Sequence, residues 1–252
     1  MIEARRAAWR SLAAALAVAA WLAPAAAQAG PPFLTDDPEP TDPGHWEIYA
    51  PAIDVSGRAG IDEGSFGAEF NYGAAPDVQV TVGLPASFAR DEGGFRSGRG
   101  DLELSVKYRV FRDENAGVSM AVFPGLTLPT ASRGLGAGRV TALIPVWLQK
   151  DAGPWSVFGG GGYAINPGPD ARNYWTGGVA LSRQVTERLL VGAEIDRQGA
   201  DTTDGRASTR LGLGAILKLK APLRLLGSAG PTFFDGRSPS GFHAFLALGV
   251  DF

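Results

Sequence analysis

From His45 to Phe252 the chain alternates. Segments of roughly 10–13 residues carry apolar side chains at every second position and small or polar ones between, and each ends in a cluster of Gly, Pro, Asp or Asn. This two-residue period, broken by turn formers, predicts strands and not helices. The segments fall at about 45–55, 63–74, 78–90, 100–112, 118–130, 140–151, 155–166, 174–185, 188–199, 208–220, 223–235 and 241–252. The two faces differ. In the fourth segment Leu102, Leu104, Val106, Tyr108 and Val110 oppose Asp101, Glu103, Ser105, Lys107 and Arg109. In the tenth, Leu211, Leu213, Ala215, Leu217 and Leu219 oppose Gly212, Gly214, Ile216, Lys218 and Lys220. The last segment, "GFHAFLALGVDF", keeps its apolar parity to Phe252.

About twelve such strands, an even number, fit an antiparallel transmembrane β-barrel. They also fit a soluble sandwich or barrel. The links help to separate these. Those after strands 2, 4, 6, 8 and 10 are short ("AAPD", "DENAG", "DAGP", "TE", "AP"), and those after strands 1, 3, 5, 7 and 9 are generally longer. Short periplasmic turns alternate with longer extracellular loops in outer-membrane barrels, and an even count puts both termini in the periplasm. Aromatic residues on the apolar parity form two bands. Trp46, Tyr72, Tyr108, Trp155 and Phe252 lie toward one end, and Phe66, Phe88, Tyr163, Trp175, Phe233 and Phe242 toward the other. Two such bands read as the interfacial girdles of a barrel in lipid. The last strand then closes against the first, because an open edge in lipid strands its N–H and C=O groups. A terminal aromatic such as Phe252 also resembles the signal read by the barrel assembly machinery.

The opening residues are different. Arg5, Arg6 and Arg10 precede "SLAAALAVAAWLA" and an Ala27-Gln28-Ala29 motif, which together read as a signal peptide cleaved after Ala29. No later run of about 18 apolar residues would form a transmembrane helix. Residues 30–44, "GPPFLTDDPEPTDPG", have no periodicity and read as an extended periplasmic leader. It either hangs as a tail or folds inward as a partial plug. Residues 45–252 are the barrel.

Composition narrows the chemistry. The net charge is −3, and loss of the signal peptide removes more arginine than acid, so nucleic acid is not an expected partner. There is no cysteine to act as a nucleophile or form a disulfide, and the 35 glycines suit many turns and close strand contacts. The two histidines, His45 and His243, stand at opposite ends of the barrel sequence and make no metal-ligand cluster. The "GGGG" of 159–162 lies in a strand pattern with no helix behind it, so it reads as a bend or close contact and not as a phosphate loop. No enzyme, metal or cofactor is expected. The inward parity carries Glu47, Glu69, Glu103, Lys107, Arg109, Glu194, Asp196, Arg210, Lys218, Arg224 and Asp251. Pairing across "AP" sets Lys218 opposite Arg224, and closure of the barrel brings Asp251 to the His45–Glu47 region. Charges of both signs either line a water-filled pore or bind one another and close it. A twelve-strand barrel has a backbone diameter of about 24 Å, leaving a lumen of about 10 Å.

Four stretches, "PPFLTDDPEPTDPGHWEIY" (31–49), "YGAAPDVQVTVGLP" (72–85), "GRGDLELSVKYRVF" (98–111) and "FPGLTLPTAS" (123–132), resemble in order the outer-membrane transporter family named for the MetA pathway of phenol degradation. Ala131 stands where that family has glycine. The resemblance is strong in the first half of the mature chain and weak after Gly153. It implies an outer-membrane channel of a Gram-negative bacterium for passive passage of small solutes, aromatic or hydrophobic compounds among them, with membrane lipid outside. The alternative is a closed, non-conducting barrel with a structural or interaction role.

Overall fold

The structure, a computed structural model, describes residues 32–58, 60–234 and 239–252. The expected signal peptide lies outside the described residues. Fourteen strand segments follow in order: β1 (Trp46–Arg58), β2 (Ile61–Ala75), β3 (Val78–Asp91), β4 (Gly94–Arg99), β5 (Leu102–Asp113), β6 (Val118–Val122), β7 (Gly125–Leu128), β8 (Thr141–Ala152), β9 (Trp155–Ile165), β10 (Tyr174–Thr186), β11 (Leu189–Gln198), β12 (Ser208–Lys218), β13 (Leu223–Phe234) and β14 (Pro239–Asp251). They make twelve staves. β4 and β5 continue each other along β3, which pairs its outer half with β4 and its inner half with β5. β6 and β7 likewise share the partners β5 and β8. They part at Phe123–Pro124, where proline supplies no N–H to a ladder. Every stave is antiparallel to its neighbours, and β14 closes on β1 from Glu47–Asp251 to Arg58–Gly241. Phe252 N donates to Trp46 O at 3.0 Å and Trp46 N to Phe252 O at 2.6 Å, so the ladder runs to the last residue. Closure pairs the staves all the way round, and β4, which pairs with β3 alone, is the one segment among the described residues with no strand on its other side.

Parity alone does not say which face is outside; the structure does. Leu84, Val106, Leu148, Val157, Leu181, Ile195, Leu213 and Leu246 are exposed around the wall. Gln79, Thr81, Lys107, Gln149, Glu194, Arg224 and His243 are buried within it. A barrel with its leucines outside and its charges inside is built for lipid. At one end the staves turn within short links such as Pro76–Asp77, Gly153–Pro154 and Glu187–Arg188. At the other end the sequence predicts longer loops throughout, and two of them differ. β1–β2 and β3–β4 turn within two residues each, and the expected loop residues instead prolong the strands. The long connections at that end are 129–140, 166–173 and 199–207.

Candidate functional site

The leader lies inside the barrel. Ser228 Oγ donates to Pro32 O at 2.5 Å. The Phe33 ring is buried among Phe158, Leu190, Ile216, Leu226 and Ala247, with the Phe158 ring centroid 5.9 Å away. The backbone N–H groups of Leu34 and Thr35 donate to the two carboxylate oxygens of Glu194, at 3.1 and 3.0 Å. The chain then reaches the far wall. Lys107 Nζ lies 3.1 Å from Asp36 Oδ1 and 3.6 Å from Asp37 Oδ1. Arg109 pairs with Glu39 and Asp77, and Ser119 Oγ donates to Glu39 at 2.9 Å. Thr41 N donates to Gln79 Oε1 at 2.8 Å, and Pro43 bridges to Gly73 before β1 begins. β12, against Pro32 and Phe33, and β5, which carries Lys107, are six staves apart in a ring of twelve. The leader therefore spans the lumen across its diameter. Its prolines favour the extended course this needs.

Glycine makes the room. A Cβ on Gly214 would lie 2.8 Å from Phe33 Cε1, and one on Gly192 would lie 2.7 Å from Phe33 Cζ. A Cβ on Gly178 would meet Thr35 Oγ1. These glycines face inward on β12, β11 and β10, so part of the high glycine content is the bed of the leader.

The structure faces Glu47, Glu69, Glu103, Lys107, Arg109, Glu194, Asp196, Arg210, Lys218, Arg224 and Asp251 into the lumen, in separate groups. At the short-turn end Arg224 pairs with Glu47 and lies 3.0 Å from Asp251, while Tyr49 OH donates to Glu47 Oε1 at 2.6 Å. Lys218 stands opposite Arg224, and Glu47 opposite Asp251. Arg210 Nε donates to Asp196 Oδ1 at 2.7 Å. Lys107, Arg109 and Glu194 hold the leader. Glu69 accepts from Asn71 Nδ2 at 2.9 Å, beside an Asn71–Gln79–Thr81 network. Glu103 is exposed to the lumen with no hydrogen bond or ion pair among the described residues. Glu69 and Glu103 flank Gly83 in one row across β2, β3 and β5. Trp46, Tyr72, Tyr108, Trp155 and Phe252 face outward near the short-turn end. Phe66, Phe88, Tyr163, Trp175, Phe233 and Phe242 face outward toward the other. Trp46 lies on Tyr72 at 4.7 Å and Tyr163 on Trp175 at 5.1 Å.

Sequence reasoning missed Asp54, Ser182 and Trp147 as inward residues. A bulge at Ala50–Pro51 brings Tyr49 and Ala52 to the same face, which turns Asp54 inward. Pro51 within a strand pattern is the signal for it. Below the leader a cavity of about 1330 Å³ extends to the short turns, lined by Asp36, Glu47, Glu69, Glu103, Lys107 and Gln149. No cluster of three metal-ligating side chains occurs among the described residues.

Known proteins carry the same wall. The family model described as "Putative MetA-pathway of phenol degradation" matches residues 52–236, and the chain belongs to that family. Among solved structures, an outer membrane channel from Pseudomonas putida is similar with a TM-score of 0.68 at 17% identity, over 89% of this chain and 100% of that one. The KdgM porin, solved with disordered oligogalacturonate, has a TM-score of 0.54 at 8% identity, over 82% of this chain and 99% of its own. The NanC porin has a TM-score of 0.53 at 9% identity, over 80% and 98%. No curated protein sequence matches the chain. These likenesses establish the outer-membrane barrel fold.

Proposed function

We propose that this family member is a channel in the outer membrane of a Gram-negative bacterium, passing small solutes passively and monocyclic aromatic compounds among them. The observation that carries the reading is the leader's mode of attachment. It crosses the lumen on side-chain contacts and shares no continuous ladder with the wall, above a cavity of about 1330 Å³ that reaches the short-turn side. Such contacts are individually modest and reversible. The aromatic part of the reading is supported by the family's phenol-degradation description. A transport role is supported by the channel and porin folds that the barrel resembles; His243 faces inward, and neither ring nitrogen has a hydrogen-bond partner among the described residues.

One observation favours a closed barrel. Lys107, Arg109, Arg210 and Arg224 are all engaged by carboxylates, and the first two are engaged by the leader itself. Single-channel recording in planar bilayers separates the two. The chain from Gly30 onward shows discrete openings if it is a channel, and a verified, folded barrel that stays silent is a closed one.

A further inference from the structure

Most of the lumen wall is polar, but one recess is not. Phe158, Leu190, Ile216, Leu226 and Ala247 gather on the β9–β14 side around the ring of Phe33. The recess is the size of one benzene ring because Gly192 and Gly214 carry no side chain there. The para carbon of the ring, Cζ, lies 2.7 Å from where a Gly192 Cβ would stand. The residue directly across the ladder from Gly192 is Ser182. Ser182 is 1% exposed, faces inward, and its hydroxyl has no hydrogen-bond partner among the described residues. A buried hydroxyl without a partner is costly and rare. The ladder partner of Ser182, Gly192, is the residue whose missing Cβ the para carbon of Phe33 approaches. Phe33 also borders the open cavity, so a solute in the lumen reaches this recess without crossing the wall.

We propose that the Phe33 recess is the lumen's binding site for a monocyclic phenol, and that Phe33 occupies it as a stand-in when no solute is present. The phenol ring takes the place of the Phe33 ring against Phe158 and the two glycines. Its hydroxyl exchanges a hydrogen bond with Ser182 Oγ, which Phe33 leaves unmade. Solute and leader then compete for one site, so binding of the solute frees the leader. This deepens the channel reading and rests on it.

The test is calorimetric titration of the folded mature chain with phenol and with benzene, for the wild type, Phe33→Ala, Phe33→Ala/Ser182→Ala and Phe33→Tyr. Removing the competitor in Phe33→Ala should tighten phenol binding by about ten-fold or more. Adding Ser182→Ala should then weaken phenol by about five- to ten-fold, the worth of one hydrogen bond, and leave benzene unchanged. In Phe33→Tyr the leader supplies the missing hydroxyl, so phenol should bind more weakly than to the wild type. Equal phenol affinity in wild type and Phe33→Ala overturns the proposal. So does an equal loss of phenol and benzene binding on removing the serine hydroxyl. Conductance of the same proteins keeps the two ideas apart. A Phe33→Ala barrel that conducts ions and ignores phenol refutes this site and leaves the channel; a barrel that does neither refutes the channel as well.

Discussion

Replacing Gly214 by alanine should loosen the leader and nothing else. The new Cβ would lie 2.8 Å from Phe33 Cε1, 3.1 Å from Phe33 Cζ and 3.1 Å from Pro32 Cγ, all of them leader atoms. Carbon atoms prefer about 3.5–4.0 Å, so the ring must retreat by about 0.5–1 Å. Its retreat is limited, because Phe158 stands on it at 5.9 Å between centroids. Overpacking of this kind costs about 1–3 kcal/mol, which lowers the ratio of docked to undocked leader by about 5- to 150-fold. The barrel does not share the cost, since alanine is at least as compatible with a strand as glycine. Hydrogen exchange measures the effect directly. The Leu34 and Thr35 amides are protected by their bonds to Glu194, so their exchange should speed up by the same factor. Gly227→Ala is the control: its nearest atoms, Leu246 Cδ1 and Phe245 O, are at an ordinary 3.4 Å and belong to the wall. Unchanged exchange at Leu34 and Thr35 in a folded Gly214→Ala barrel would refute the argument that the glycine bed sets the leader's hold.

Acidity and charge give two further predictions. Burial pushes the Asp37 carboxyl up to about 7, against the pull of Lys107 and with Asp36 and Glu39 adding to the rise. A carboxyl that is raised when docked favours docking while it is protonated. The leader's hold is therefore fullest below the ordinary carboxylate range and is lost as pH rises through about 7. Open-channel time should be greater at pH 8 than at pH 5, and Asp37→Asn should flatten the profile; a wild-type record that is level with pH contradicts this. Glu69 and Glu103 face the lumen and form no ion pair among the described residues, so Glu69→Gln/Glu103→Gln should move the reversal potential in a salt gradient toward zero. Lys107→Gln should instead raise open time with little change in selectivity, because Lys107 is spent on the leader. The reverse pattern would mean that Lys107, and not the acidic row, filters ions.

The wall was legible because its physics is local. Alternation writes the strand, and turn residues end it, so all twelve staves stand where the pattern puts them. Register followed where two strands meet across a tight turn: "AP" sets Lys218 against Arg224, and closure sets Glu47 against Asp251. What failed is what parity does not carry. The bulge at Ala50–Pro51 inverts the faces of half of β1 and hides Asp54 from a two-residue count. Gly60 and Gly94, both with positive φ, let the β1–β2 and β3–β4 hairpins turn tightly, so residues that look like loop continue as strand. The leader has no period at all. Its course is decided by partners 30 to 200 residues away, namely Gln79, Lys107, Glu194 and Ser228, and by glycines whose purpose appears only once Phe33 lies on them.

In the channel we propose, a displaceable leader closes an otherwise open barrel. Paired single-channel recordings test it most directly, from the chain beginning at Gly30 and from one beginning at His45. Brief, infrequent openings are expected in the first and sustained conductance in the second. Equal conductance in both would show that the leader does not close the lumen. Silence in both, with each barrel shown to be folded and inserted, would show that the barrel is not a channel.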